Sequence, residues 1–413
     1  MKILFLNFRN NPSSALLRIS ESLRTSNVDV SIFSYFSLVK EKNIIQSKGI
    51  GKVLFSFLFC YDIFITRFVY KKTGQLFSIN INLFSNLLSY IYTKYFIKFD
   101  LIHLHWIGHG FISSSFLMKI KAEKIIFTLH DYYFITGGCH IPGECLKYTK
   151  SCNFCPAKSR FTDFVSENFK QKMELYQAKQ IYVTAPSQTM KNKIIDSYLG
   201  QFFQEVVVIP NPIDINIYKP LSIDLKKNPL FDRLQNNKKF IVFVSNNLID
   251  YNKGFDLLIE ALKRIENPES ICLLTVGNNY SQISDELNFS HHHFGEISST
   301  IDMVQIYNLA YITVVPSRFE SFSQVTLESM SCGTPVLAFD SSGPSEIITD
   351  KVDGFLVNSF SIEDYSQRIN SILADEMLRI SFSENSRKKV VEKYSYEAIG
   401  EKMKNYYKKI LNA

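Results

Sequence analysis

Residues 311–340 read YITVVPSRFESFSQVTLESMSCGTPVLAFD. The run ITVV, ending at Pro316, has the pattern of a short strand buried on both faces. Arg318, Phe319 and Glu320 follow in a loop. Ser321 or Ser323 is placed to cap a helix that runs to about Cys332; Gly333 then stops it and Pro335 opens the next strand. Strand, loop, capped helix and second strand make one unit of a parallel α/β sheet. The helix N-terminus offers N–H groups and the positive end of a dipole, which suits a diphosphate. Glu320 stands just before that terminus and Glu328 two turns inside. Carboxylates beside an anion site are wasteful unless the ligand also brings hydroxyls for them to accept. A nucleotide-sugar brings both. Alone, Glu320 and Glu328 are equally two surface acids on an ordinary strand–turn–helix unit.

Outward from this stretch the same alternation recurs. Apolar runs at 2–7, 28–33, 100–105, 124–130, 180–184 and 206–209 read as buried strands, with helical stretches such as 13–24 and 164–178 between them. Pro210 and Pro212 then break regular structure. Strands resume at 240–245, 270–276, 312–316 and 335–339, and residues 254–265 form an amphipathic helix. The expected architecture is two doubly wound α/β domains with a cleft between them: 1–205, with a Cys-rich insert at 137–156, and 221–392. A linker covers 206–220 and a C-terminal helix, 393–413, returns to the first domain. Ligands of such sheets bind beyond the carboxyl ends of the strands.

The 413 residues carry a formal charge of +7, too little for this length to imply nucleic acid. Hydrophobic residues make up 46% and charged residues 21%, a globular balance. No secretion signal and no long uncharged apolar run stand out, so the expectation is a cytoplasmic chain without a spanning helix. Residues 53–99 differ: they are apolar and aromatic, with Arg67, Lys71, Lys72, Lys94 and Lys98 interspersed. They are either a face that docks on the inner face of the cell membrane or ordinary cover for the first domain.

The run from Pro316 and Ser317 through Glu320, Phe322, Glu328 and Cys332 to Val336 resembles the signature of the retaining glycosyltransferases of family 4. Other pieces are similar in the same order: Pro210 to Asp214, Asn252 to Phe255, His293 to Gly295, Gly343 to Ile347, and Asp353 with Gly354. The resemblance implies the GT-B fold, two facing Rossmann-like domains with the donor in the cleft. It implies transfer of a sugar from a nucleotide-sugar to a saccharide, with no cofactor needed for catalysis. Within the family it is similar to enzymes of exopolysaccharide, capsule or O-antigen assembly, so the implied acceptor is a lipid-linked glycan. A nucleotide-sugar epimerase and a non-catalytic nucleotide-sugar-binding scaffold are the alternatives.

Carried over residue by residue, the resemblance makes Lys253 a contact of the donor diphosphate, where an ammonium stabilises the leaving anion. Glu320 binds the transferred sugar, beside the N–H groups of Ser321 and Phe322, and Glu328 holds the ribose. An arginine that often accompanies this lysine is missing; Asn246 or Asn247 stands in as a neutral donor. Gly277 is assigned to the donor side. His130, at the end of a strand, resembles the histidine that touches the sugar near the reaction centre, so Lys253, Glu320 and His130 are the catalytic candidates. The glycine-rich turn of many relatives is replaced by residues 9–14, without glycine. Arg9 is then the replacement phosphate contact, and Arg9, His105 and Asp131 are assigned to the acceptor side.

Cys139, Cys145, Cys152 and Cys155 cluster, and Cys152 and Cys155 have the spacing of a zinc half-site. A structural zinc, with His140 as a spare ligand, competes with disulfides and with free thiols. Residues 291–293, three histidines, read as a strand edge rather than a metal site.

Overall fold

The computed structural model describes the chain except for residues 11–13, 40, 70–76, 79–83, 157–163, 224–228, 236, 281–288, 342 and 359, and the side chains of 67–69. Lys71, Lys72 and the middle of the glycine-less turn therefore lie outside the described residues, as does the side chain of Arg67. Two compact units result: Met1–Pro210 with Ile399–Ala413, and Asn211–Ala398.

In the first unit the strands are β1 (Lys2–Asn10), β2 (Asp29–Ser37), β3 (Ile44–Gln46), β4 (Leu101–Leu104), β5 (Lys124–Thr128), β6 (Gln180–Ala185) and β7 (Glu205–Val208). They form one parallel sheet in the order β3-β2-β1-β4-β5-β6-β7. The helices are α1 (Ala15–Thr25), α2 (Gly49–Val69), α3 (Ser85–Phe96), α4 (Ser114–Lys119), α5 (Phe164–Ala178) and α6 (Gln188–Ile195). Ser14 caps α1 by accepting from the Leu17 N–H, so the helix starts two residues later than its periodicity suggests.

The second unit repeats the plan with β8 (Lys239–Asn247), β9 (Ile271–Asn278), β10 (Ser290–His293), β11 (Ile312–Val315), β12 (Val336–Asp340) and β13 (Gly354–Asn358). Their order is β10-β9-β8-β11-β12-β13, again parallel. Its helices are α7 (Phe255–Leu262), α8 (Thr300–Leu309), α9 (Gln324–Ser331), α10 (Gly343–Ile347), α11 (Ile362–Ala374) and α12 (Glu376–Tyr394). A last helix, α13 (Tyr396–Asn412), belongs mainly to the first unit. It buries Ile399, Met403, Tyr407 and Ile410 among Ile3, Phe5, Ile19 and Leu23, an i, i+4, i+8, i+11 stripe. Gly400 lets it lie close: a Cβ there would stand 2.0 Å from the Ser22 carbonyl oxygen.

The unit boundaries differ from the sequence expectation. Val206 to Val208 finish strand β7 instead of opening a linker, because they pair with β6. Helix α12 stays with the second unit, where Val390 and Tyr394 pack on Phe322 and Leu327. The return to the first unit therefore starts at 399, not 393.

Each sheet has one place where the chain reverses the direction in which it adds strands, β1/β4 in the first and β8/β11 in the second. Ligand crevices open at the carboxyl ends of strands at such a point.

Candidate functional site

In the second unit, the residues after β8 and β11 meet. Asp250 accepts from the Asn252 N–H and turns the chain at Tyr251–Lys253. Gly254 follows at φ +67°, and a Cβ there would lie 1.9 Å from the Pro316 carbonyl oxygen. The turn is thus pressed against the end of β11, and the Arg318 N–H donates to the Asn252 carbonyl (2.8 Å). Lys253 Nζ donates to Glu320 Oε1 at 2.6 Å, and Ser317 Oγ donates to the same oxygen at 3.3 Å. Burial works against the Lys253 charge, but the Glu320 carboxylate outweighs it and holds the ammonium above its ordinary pKa. Arg318 is committed elsewhere: it grips Asp256 through two nitrogens (2.8 and 2.6 Å) and stacks over Tyr251.

Helix α9 begins where the sequence places it. Ser323, at φ 80°, accepts from the Thr326 N–H, and Cys332 and Gly333 (φ +77°) close the other end. Close approach of Gly343 holds the head of this helix: a Cβ there would meet Phe322 backbone atoms at 2.5–2.6 Å, and its N–H donates to the Glu320 carbonyl. Phe322 itself points into the core. Glu328 is buried, and Tyr307 O–H donates to its Oε2 (2.8 Å). Asn246 is exposed, while Asn247 Oδ1 accepts from Asn279 Nδ2 (2.8 Å). Gly277, at φ +137°, is required because a Cβ would stand 1.7 Å from the Ser245 carbonyl oxygen.

In the first unit a line of histidines runs behind the carboxyl ends of β4 and β5. His103 is bonded at both nitrogens, Nδ1 to Tyr407 OH and Nε2 to Thr128 Oγ1, each 2.7 Å. His105 Nδ1 lies 3.0 Å from His130 Nε2. Burial lowers all three, His103 to about 3, His130 to about 4 and His105 well below the ordinary value, so the rings are neutral near pH 7. Beside His130, Asp131 takes the Tyr133 N–H (2.8 Å) on one oxygen and His140 Nδ1 (2.7 Å) on the other. Burial pushes the Asp131 carboxyl up, but His140 and the Tyr133 N–H prevail and it is lowered, hence ionised. Trp106 Nε1 also lies 3.1 Å from His140 Nδ1. From His140 Nε2 the chain continues to Ser78 Oγ (2.9 Å) and on through His109 to Asp62, which is fully buried on α2.

Comparison with known proteins matches this architecture to one family. Residues 226–389, which hold Lys253, Glu320 and Glu328, match the family described as glycosyl transferases group 1. The second unit belongs with the group 1 glycosyltransferases. It is 28% identical over 325 residues to an uncharacterized glycosyltransferase of Methanocaldococcus jannaschii, covering 75% of each chain. It is 25% identical over 236 residues to the capsular polysaccharide biosynthesis glycosyltransferase CapM of Staphylococcus aureus, covering 55% of this chain and 62% of that one. The match thus spans less than two-thirds of that second relative. Among solved structures, Anabaena HepE in complex with UDP-glucose superposes with a TM-score of 0.64 at 17% identity, covering 99% of this chain and 100% of that one. At that identity the likeness concerns the fold alone, and the fold of this glycosyltransferase is GT-B.

Several sequence expectations need correction in this glycosyltransferase. Arg9 is not in a turn: β1 runs on to Asn10, and Arg9 extends from it over the Phe36 ring of β2. His105 is 1% exposed and cannot touch an acceptor. Asp131 spends both oxygens within the unit. His140 is committed to Asp131 and Ser78, so it is no spare ligand. Among the described residues no group of three or more His, Cys, Asp or Glu is arranged to hold a metal ion. Cys139 and Cys152 are buried; burial raises both thiols, Cys152 to about 11, and favours the protonated form. The histidines of β10 form an edge strand, as expected.

One helix bears on the expectation of no spanning helix. Residues Gly49–Thr66 of α2 are long and apolar enough to cross a membrane by length and composition, despite Lys52 and Asp62. Those two charges had interrupted the apolar run in the sequence. Only the folded helix shows that Asp62 faces inward, to His109, together with Phe55, Leu58 and Ile65. Sequence reasoning also missed Tyr307, which no motif marks because its role depends on the register of α8 against α9.

Proposed function

We propose that this glycosyltransferase moves a sugar from a nucleotide-sugar to a lipid-linked saccharide at a membrane surface. The observation that carries the transfer is the Lys253–Glu320 pair at the β8/β11 switch point, below the head of α9. A diphosphate competes with Glu320 for the ammonium. Once Lys253 turns to the phosphates, Glu320 is released to accept from sugar hydroxyls. Glu328, held from behind by Tyr307, is the group for the ribose. His130 is the first unit's group for the transferred sugar. The solved relative with UDP-glucose favours a uridine donor. A thermal-shift screen over UDP-, GDP-, ADP- and TDP-sugars tests this: stabilisation by one nucleotide class is expected, and stabilisation by none would defeat the donor reading.

The outer face of α2 supports the lipid-linked acceptor. Ile50, Val53, Phe57, Cys60 and Phe64 recur at spacings of three and four, and all are exposed. On α3, Leu87 and Tyr90 are exposed as well, and so are Lys52, Lys94 and Lys98. An exposed apolar stripe on a helix pair that also carries exposed lysines suits an anionic bilayer surface. Sedimentation with phosphatidylglycerol vesicles should carry the protein down, phosphatidylcholine vesicles much less. Phe57→Glu should weaken binding by about tenfold or more, the transfer cost of one aromatic side chain. Equal binding by Phe57→Glu would remove α2 from the contact.

For the Cys-rich insert we propose a structural zinc on Cys139, Cys145, Cys152 and Cys155, whose uptake has to draw the sulfurs together. The support is electrostatic. Lys172 is buried beside Cys139 and Cys152, with Nζ donating to the Tyr133 and Thr136 carbonyls and no ion pair among the described residues. A zinc held by four thiolates is a net anion and would offset that ammonium.

A further inference from the structure

We infer that His105 fixes the tautomer of His130, placing the ring proton on Nδ1 as a hydrogen-bond donor toward the transferred sugar. The inference rests on the proposed role of His130 and adds a positioning residue behind it.

The argument counts protons. His105 Nδ1 and His130 Nε2 stand 3.0 Å apart, so one of them donates and the other accepts. Both rings are neutral, so each carries one proton. Two registers satisfy this. In the first, His105 Nδ1–H donates to His130 Nε2. The His130 proton then sits on Nδ1, and His105 Nε2 is a bare lone pair. In the second, His130 Nε2–H donates to His105 Nδ1, and His105 carries its proton on Nε2.

His105 Nε2 decides between them. It is buried, with no hydrogen-bond partner among the described residues. His103, whose ring centroid is 4.4 Å away, cannot serve it, since both of its nitrogens are used. Phe5 packs at 4.6 Å and offers no acceptor. The second register would therefore bury an N–H with nothing to receive it. The first leaves only an acceptor unmet, and buried acceptors go unpaired more readily than buried N–H donors. The first register is the stable one. His130 then meets its ligand as a donor, with Nε2 occupied by His105, and is not a general base in the resting protein.

The test is the nitrogen spectrum of the full chain labelled with 15N-histidine, with His130 assigned by loss of its signals in His130→Asn. In the wild type the His130 Nδ1 shift should be of the protonated type and Nε2 of the unprotonated type. The reverse pattern would overturn the inference without any need for a His105 variant. In kinetics, His105→Ala should lower kcat about tenfold, one hydrogen bond's worth, with little change in the donor KM. His105→Asn, whose amide reaches where Nδ1 stood, should restore most of that loss. Equal kcat in the two folded variants would also overturn it. If the spectrum is as expected but His130→Ala transfers normally, the tautomer stands and the catalytic reading of His130 fails.

Discussion

Lys253 and Glu320 meet at the strand ends of the second unit as a partly exposed ion pair, whereas His103, His105 and His130 of the first unit are a neutral group lying behind their strand ends. The two groups resist change differently. An ion pair can be exchanged: in the proposed donor complex a phosphate takes the lysine and frees the glutamate, so the ammonium keeps an anion beside it throughout. The histidine group has no such freedom. His103 is locked from both sides, and the ring protons of His105 and His130 are set by the one bond between them. On the proposed reading, charge stands where a leaving anion would form, and fixed dipoles where position matters most. Damage should follow the same division, as lost turnover at the Lys253–Glu320 pair and lost stability at His103.

The largest effect expected is on turnover. Lys253→Ala and Glu320→Ala should each reduce transfer about 100- to 1000-fold, the usual loss when one preorganised electrostatic partner is removed. Their unfolding temperatures should move less than their rates, because the charge left behind keeps some access to solvent. Initial rates with the identified donor, beside calorimetry, check both halves. A variant that unfolds without losing specific activity would break the comparison.

Next comes acid. Burial depresses His103 to about 3, while the unfolded chain titrates near the ordinary value of 6.5. Between those limits the unfolded state binds more protons, so stability falls as pH falls. At pH 5, His103 alone should cost about 2 kcal/mol relative to neutral pH. Thermal unfolding from pH 7 to pH 4 measures it. His103→Asn should be less stable at pH 7 but lose less on acidification. An identical pH slope in that variant would show that the histidine line is not what acid attacks.

Much of this was legible in the sequence, for identifiable reasons. Strands buried on both faces announce themselves as apolar runs, and the Ser323 cap, the Gly333 stop and the Lys253 turn each need a particular residue type. The histidine line was only half legible. Alternation along a strand puts His103 and His105 on one side but does not say how deep that side lies, and depth is what buries His105 away from an acceptor. Arg9 was misplaced because nothing in the residues after it stops β1 before Asn10. Nothing in the sequence singles out Asp62, since its partner His109 is far along the chain.

The smallest effect tests the Cys-rich insert and extends the contrast to a single buried charge. Burial lowers Lys172 to about 7, with the Cys152 thiol the first of the groups opposing it. The unfolded lysine titrates near 10.5, so between pH 7 and 10.5 the unfolded state binds more protons and stability should rise with pH. Above about pH 9 the thiols reverse the trend: raised in the folded chain, they keep protons that the unfolded chain gives up. The usable window is therefore pH 7 to 9, with an expected gain of about 1 to 2 kcal/mol for the metal-free chain. Lys172→Met should flatten it. Bound zinc should flatten it as well, by setting an anion beside the ammonium and restoring its pKa, and should add stability at pH 7 that a chelator removes. The measurement is unfolding temperature across that window, with zinc content by mass spectrometry. A zinc-free preparation whose stability is unchanged by added zinc would leave the four cysteines as packed thiols and Lys172 as a charge held by two carbonyls and the Tyr133 ring.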